Sequence, residues 1–152
     1  KRFCQGIGKD FINLLENTNM SKVYKMPVLM AFYNHGNVRM KVSEAELLAS
    51  WKEFFSTGTN WKDLEKEITY EEYRKVSDKN HIQKIMKMPV HFLLKSGEEF
   101  FVKKDGAALA LRDEMEEIVK EPVLAEQMKD VIEYRAMDYY RRRYKEKIKA
   151  LL

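Results

Sequence analysis

Residues 80–111, NHIQKIMKMPVHFLLKSGEEFFVKKDGAALAL, set the expected fold of this chain. Apolar residues recur at helical spacing through the first half, where Pro89 kinks or divides the helix before Gly97 ends it. Two short apolar runs, 100–102 and 107–111, then flank an Asp-Gly pair, which is a strong β-hairpin signal. A helix that leads into a basic hairpin is typical of a winged helix-turn-helix, in which the helix enters a groove and the hairpin reaches a backbone.

A strand and a clearly marked helix are predicted upstream of this stretch. Residues 25–33 predict a helix that Gly36 ends, and residues 38–42 alternate apolar and basic side chains as a half-buried strand does. Ser43 and Glu46 form a capping box, which predicts the start of the next helix. The buried face of that helix is predicted to hold Leu47, Leu48, Trp51, Phe54 and Phe55.

The segment between these two parts is predicted to be a surface insertion followed by a short helix. Asp63, Glu65 and Glu67 match no metal-binding loop and are interpreted as a solvated acidic face. Thr69 and Glu72 form a second capping box, which predicts a helix directly after it.

Residues 122–152 predict one long helix, because no glycine or further proline follows Pro122. Apolar and aromatic residues recur every three or four positions at Leu124, Met128, Val131, Tyr134, Met137, Tyr140 or Arg141, Tyr144, Ile148 and Leu151. At about 1.5 Å per residue such a helix extends ~45 Å, which is longer than the rest of the domain can cover. We therefore expect part of it to meet another chain, another domain or nucleic acid.

A short helix is also predicted over 112–120, with acidic residues in its first turn.

The predicted fold class is α+β, mainly α, with a winged-helix-like core, a small β-hairpin and a long C-terminal helix. Residues 1–24 are predicted to be a lead-in segment that includes a short helix over 9–16. Residues 25–121 are predicted to form the winged-helix-like domain, and residues 122–152 the long basic C-terminal helix.

The composition predicts one soluble domain, or one domain with an appendage. Of the 152 residues, 45% are hydrophobic and 34% are charged. The 28 basic and 24 acidic residues give a net charge of +4, so the position of the charges matters more than their sum.

The single cysteine, Cys4, excludes an internal disulfide and fits a reducing compartment, so we expect a cytoplasmic protein. No apolar run approaches the ~20 residues of a membrane span, and the start at Lys1 rather than Met suggests an excerpt from a longer protein.

No group of residues in the sequence predicts catalysis. His35, His81, His91 and the single cysteine do not have the spacing of a zinc cluster. The GIGK sequence at 6–9 lacks the spacing and the Ser or Thr of a phosphate-binding loop, and is interpreted as a flexible lead-in. We therefore expect no enzyme activity, no metal and no cofactor in this chain.

Two sets of basic residues predict contact with nucleic acid. The set on the helix and hairpin of residues 80–111 is Lys84, Lys87, Lys95, Lys103 and Lys104. The set on the C-terminal helix is Arg135, Arg141, Arg142, Arg143 and Lys145. Guanidinium groups pair with phosphates, and interleaved tyrosines stack on bases. In the alternative interpretation, the helix dipole favours these cations and the tyrosines pack a partner helix, as in a docking or dimerisation module that binds no nucleic acid.

Three longer strings resemble one protein family. They are YKMPVLMAFYNHGNVRMKVSEAELLASWKEFFSTGTNWKDL at 24–64, KMPVHFLLKSGEEFFVKKDGAALAL at 87–111 and DVIEYRAMDYYRRRY at 130–144. They resemble the C-terminal region of large bacterial superfamily II DEAD/DEAH-box helicases of the type III restriction enzyme kind. The resemblance implies an accessory domain of an ATP-dependent DNA helicase in a restriction-modification system, with DNA and the helicase motor domains as partners. The ATP-binding motifs of such a helicase are absent from these residues and are expected upstream.

Overall fold

The computed structural model of the chain describes residues 6–64 and 68–152, and these residues are mainly helical. The α-helices are α1 (Gly6–Asn17), α2 (Lys25–Met30), α3 (Glu44–Ser56), α4 (Tyr70–Lys75), α5 (Asp78–Ile85), α6 (His91–Ser96) and α7 (Pro122–Leu151). The strands are β1 (Tyr33–Asn34), β2 (Asn37–Val38), β3 (Lys41–Val42), β4 (Phe101–Val102) and β5 (Leu109–Leu111). The predicted α+β, mainly α class and the long C-terminal helix are confirmed, whereas the winged-helix-like core stays a prediction.

The larger sheet is antiparallel and has the strand order β3-β5-β4. Its central strand pairs Leu109 with Val42 on one side and Leu111 with Phe101 on the other. All three residues of β5 are buried, so this strand is part of the core. The predicted hairpin is therefore present, and Gly106 in its turn has a φ of +78°, a conformation that favours glycine.

β1 and β2 form a second hairpin that was not predicted. The helix predicted over 25–33 ends before Tyr33, which begins β1 instead. His35 and Gly36 have φ values of 48° and 87°, and positive φ at both central residues is what a type I′ hairpin turn requires. The single strand predicted over 38–42 is consequently two strands, since β2 pairs with β1 and β3 joins the larger sheet.

α5 and α6 are joined by a π-helical segment, Met86–Val90, so the helix continues through Pro89. Proline donates no N–H and its ring crowds the preceding turn, and the wider π turn accommodates both effects. Where α6 ends, a Cβ added to Gly97 would lie 2.8 Å from the carbonyl oxygen of Leu93 and 3.0 Å from the Phe101 ring. The close approach of the chain at this point therefore requires glycine.

Both predicted capping boxes are present. The backbone N–H of Glu46 donates to Oγ of Ser43 at 3.1 Å, and the backbone N–H of Ser43 donates to Oε1 of Glu46 at 2.9 Å. The second box starts α4 in the same way. The residues that α3 buries are Leu47, Trp51 and Phe55.

The prediction of a single short helix over 112–120 is wrong. The chain forms two short 3-10 turns there instead, Asp113–Met115 and Ile118–Lys120.

One hydrophobic core joins the described parts of the three predicted segments. Phe11 of α1, Trp51 of α3 and Met128 of α7 all lie in it at 0% exposure. Residues 6–9, interpreted from the sequence as a flexible lead-in, are the first turn of α1, because α1 packs its apolar face against α7. The division into three segments stays a prediction.

Candidate nucleic-acid interface on the C-terminal helix

α7 leaves the core in its second half. Its buried residues end at Tyr139, and every residue from 144 to 152 is exposed. We call residues 141–152 the arm. The arm carries most of the cations predicted on the C-terminal helix, so the surroundings of each cation decide whether it can contact a ligand.

Arg135 is half-buried and contacts α1. Its Nη1 donates hydrogen bonds to the carbonyl oxygens of Leu15 at 3.1 Å and Thr18 at 2.7 Å. Lys25 reaches the same place, where its Nζ donates to Oγ1 of Thr18 at 3.0 Å and to the carbonyl oxygen of Asn19 at 2.6 Å. The two cations thus satisfy carbonyl oxygens at the negative end of the α1 dipole. Burial, together with the charge of Arg135, lowers the pKa of Lys25.

Two further predicted contact residues hold parts of the fold together. The Nζ of Lys84 donates to the carbonyl oxygen of Leu64 at 2.8 Å and lies 5.4 Å from the centroid of the Tyr24 ring. Lys104 forms a hydrogen-bonded ion pair with Asp113 beside the larger sheet. This hydrogen bond and the charge of Lys104 lower the pKa of Asp113.

Arg143 links the arm to the turn that follows α3. Its Nη2 lies 3.1 Å from Oδ1 of Asp63, whose side chain is 6% exposed. The guanidinium also lies 5.8 Å from the centroid of the Tyr139 ring. The interpretation of Asp63 as part of a solvated acidic face is therefore wrong, because its carboxylate pairs with the arm. Glu65 and Glu67 lie outside the described residues.

The other six predicted contact residues are exposed. They are Lys87, Lys95, Lys103, Arg141, Arg142 and Lys145. The first three lie on the α5–α6 helix and in the loop after β4, whereas the last three lie together on the arm. Arg141 and Arg142 also pair with Asp138, about one turn earlier on α7.

A cleft of about 300 Å³ separates the arm from the turn after α3, and we call it the arm cleft. Three cations line it, Lys62, Arg143 and Lys147, and Tyr140 and Tyr144 supply aromatic rings. The carboxylate in its lining already pairs with Arg143. The arm cleft therefore presents positive charge beside an aromatic surface.

Three buried oxygens at or beside the arm cleft have no partner with hydrogen-bond geometry among the described residues. They are Oδ2 of Asp63 and the hydroxyl oxygens of Tyr139 and Tyr140. Burial first, and then the Asp63 carboxylate, raise the pKa of both tyrosines, and the Tyr139 hydroxyl interacts directly with that carboxylate. Buried polar atoms without partners are positions where a ligand atom or a water can complete the hydrogen bonding.

Lys62 could not be identified from the sequence as part of this site. It lies in the segment interpreted as a surface insertion, and only folding brings that segment against α7. The arm itself was recognisable, because basic residues cluster in it and tyrosines are interleaved with basic residues in the second half of α7.

The described residues hold no group of three or more histidine, cysteine, aspartate or glutamate side chains that could bind a metal ion. Cys4 lies outside those residues. Within 6–64 and 68–152, no helix has both the length and the apolar character needed to cross a membrane.

No protein-family model, curated protein or solved structure matches the chain.

Proposed function

We propose that the chain is an accessory module that binds single-stranded nucleic acid with the arm and the arm cleft. The observation that carries the proposal is the joint lining of the arm cleft by three cations and two aromatic rings. The basic surface continues onto the outer side of the arm through Arg141, Arg142 and Lys145. A single strand fits this surface because it offers phosphates and unpaired base faces together.

Each group in the arm cleft has a distinct role in this proposal. Lys62 and Lys147 have exposed ammonium groups that can follow a phosphate backbone. Arg143 is held in place by Asp63, which leaves the other N–H groups of its fork for a phosphate oxygen. Tyr144 is 67% exposed, and its ring can stack on a base.

The winged-helix-like core belongs to the same proposal. Strand β3, which precedes the helices, pairs with β5 of the hairpin that follows them, and this supports a winged-helix order of elements. The α5–α6 helix turns Ile85, Val90 and Leu93 into the core. The hairpin loop with exposed Lys103, rather than this helix, is then the part of the core that reaches a nucleic-acid backbone.

The resemblance to helicase C-terminal regions supports a place for the module in a larger protein. In an ATP-dependent DNA helicase of the restriction-modification kind, the motor domains would separate or translocate the strands. The arm would then hold a strand close to the motor. The helicase motor domains and DNA are the partners that this proposal implies.

Binding of a labelled oligothymidylate, followed by fluorescence anisotropy on the whole chain, tests the proposal. We expect affinity to fall steeply between about 50 mM and about 200 mM salt, because phosphate contacts release counterions. A Lys62→Gln/Lys147→Gln variant should reduce the slope of log K against log salt by about 1.4, since each phosphate contact of a single strand contributes about 0.7. Tyr144→Ala should weaken binding by about 1–3 kcal/mol through lost stacking.

The matched control is Lys79→Gln/Lys120→Gln, which removes two exposed lysines that belong to neither the arm nor the arm cleft. This control should keep the salt dependence of the unaltered chain. Binding that is absent at low salt, indifferent to salt, or equally weakened in the control would contradict the proposal.

The second candidate function is protein docking, and an apolar stripe on α7 favours it. Tyr134, Met137, Ile148 and Leu151 recur at the spacing of one helix face and are 40–86% exposed. A helix of a partner or of a second copy could cover this stripe. In that case Met137→Glu would lower the mass of the particle in sedimentation experiments, and the unaltered chain would not bind oligothymidylate.

A further inference from the structure

A second cavity, of about 230 Å³, lies between the loop after α1 and the α5–α6 helix, and we call it the lysine pocket. Its apolar walls are Met20, Met88, Pro89 and Phe92. Phe92 is 47% exposed and lines the cavity, so its ring offers apolar surface to a ligand there. The lysine pocket shares none of its lining residues with the arm cleft.

The charges around the lysine pocket are all positive among its described lining residues. Lys22, Lys25 and Lys95 line it, and no acidic side chain does. Lys25 is the unusual member, because it is 8% exposed and its described hydrogen bonds go to the uncharged oxygens of Thr18 and Asn19. An anion placed beside this ammonium would gain an ion pair that the described residues do not supply.

The shape and backbone of the lysine pocket limit what it can bind. Its volume is below the roughly 300–1,000 Å³ of pockets that hold cofactors and drug-sized ligands, so it fits one large side chain. Met88 and Pro89 belong to the π-helical segment, a distortion found frequently at functional sites. Methionine side chains in the walls adapt readily to different apolar shapes.

We propose that the lysine pocket binds an acidic peptide segment of a partner protein, which inserts one large apolar side chain and places a carboxylate beside the lysines. Charge complementarity selects this occupant. The apolar walls contact the inserted side chain, and the exposed Lys22 and Lys95 pair with the carboxylate. Lys25, which is buried, adds a third positive charge to the pocket. The inference does not depend on nucleic-acid binding by the arm.

The smallest probe with these features is N-acetyl-L-phenylalanine, which joins an aromatic side chain to a carboxylate. Titration into the whole chain, followed by amide NMR shifts, should give saturable changes at residues 20–25 and 88–96. We expect a dissociation constant on the order of 1 mM for a ligand of this size. The uncharged amide of the same compound should bind about tenfold more weakly, because it loses the charge-assisted hydrogen bond.

Two exposed positions separate the charge from the apolar contact. Lys95→Gln should weaken binding of the acid and leave binding of the amide unchanged, whereas Phe92→Ala should weaken both. Lys87→Gln is the matched control, since Lys87 is exposed on the same helix but does not line the pocket.

Three results would overturn the inference. These are shifts that do not saturate, equal binding of acid and amide, and an equal effect of Lys87→Gln and Lys95→Gln. Displacement of the probe by oligothymidylate would assign the pocket to nucleic acid instead. Loss of oligothymidylate binding at the arm would leave the expected probe binding unchanged, so the two proposals fail separately.

Discussion

His81 is a buried histidine whose ring accepts a hydrogen bond. It is 4% exposed, and its Nδ1 lies 3.2 Å from Nε1 of Trp51, which donates to it. An imidazole nitrogen accepts only when it carries no proton, so this arrangement needs the neutral ring. Burial, with a contribution from the charge of Lys52, lowers the pKa of His81 accordingly.

Acidification should therefore destabilise the fold through His81. The histidine in the unfolded chain titrates near 6.5, whereas the folded ring titrates lower, so the unfolded state binds more protons between these two values. The contribution of His81 to the free energy of unfolding is fully present above pH 6.5 and falls as the pH drops toward the lowered pKa of the folded state. Urea denaturation at a series of pH values, followed by tryptophan fluorescence, measures this fall.

A pair of variants assigns the pH dependence to this residue. His81→Gln should flatten the profile just below 6.5, although we expect the variant to be less stable by about 1–3 kcal/mol at every pH, because the glutamine side chain does not place an acceptor at the position of Nδ1. His91→Gln, at an exposed position on α6, should keep the profile of the unaltered chain. A profile that stays steep in His81→Gln would contradict the prediction.

At the scale of the element, α1 depends on a cation from α7. Arg135 donates to the carbonyl oxygens of Leu15 and Thr18, and the last turn of α1 has no basic residue of its own. Arg135→Met keeps the apolar stem but removes the donors, so we expect a loss of about 1.5–3 kcal/mol in the free energy of unfolding. Urea denaturation measures the loss, and faster amide exchange in α1 would locate it.

Arg142→Met is the matched control for Arg135→Met. Arg142 is exposed on the arm and pairs with Asp138 of its own helix at 3.1 Å. A surface pair of this kind contributes about 0–1 kcal/mol. Equal losses in the two variants would show that the contact of Arg135 with α1 does not stabilise the fold.

Elements defined by neighbouring residues could be predicted, and elements defined by distant contacts could not. The capping boxes at Ser43 and Thr69 were predictable because every atom in them lies within one turn of helix. The β1–β2 hairpin was not, since the apolar spacing of residues 25–33 indicates a helix through Tyr33, and only the pairing of Tyr33 with Val38 makes this position a strand. The apolar repeat of α7 includes the buried Leu124 and Met128 and the exposed Met137, in line with the expectation that the domain covers only part of this helix, whereas the buried Ile132 lies outside the repeat.

At the scale of the whole molecule, the candidate site could be predicted only in outline. The sequence shows where cations cluster, but not which of them satisfy carbonyl oxygens or carboxylates elsewhere in the chain. Lys84 and Arg135 bind backbone oxygens, and these acceptors give no sequence signal. Lys62 was missed for the opposite reason, since an isolated lysine in an insertion becomes part of a site only when α7 packs beside it.

The shared core predicts that the described chain unfolds as one unit. Phe11 in α1 and Met128 in α7 are both 0% exposed in the core that surrounds Trp51. Phe11→Ala should therefore cost about 3–5 kcal/mol and Met128→Ala about 2–5 kcal/mol, and each should move the same transition. Tryptophan fluorescence and far-UV circular dichroism should report coincident midpoints in both variants, as two-state unfolding requires.

Met137→Ala is the control for these core variants, because Met137 lies on the same helix but is 63% exposed, so its loss should stay within about 0.5 kcal/mol. If the segments 1–24, 25–121 and 122–152 were separate folding units, Phe11→Ala would lower the dichroism midpoint and leave the fluorescence midpoint unchanged, because both tryptophans lie within 25–121. Split midpoints would thus favour the three-segment division. Coincident midpoints would mean that the N-terminal helix and the first half of α7 fold together with the residues around Trp51.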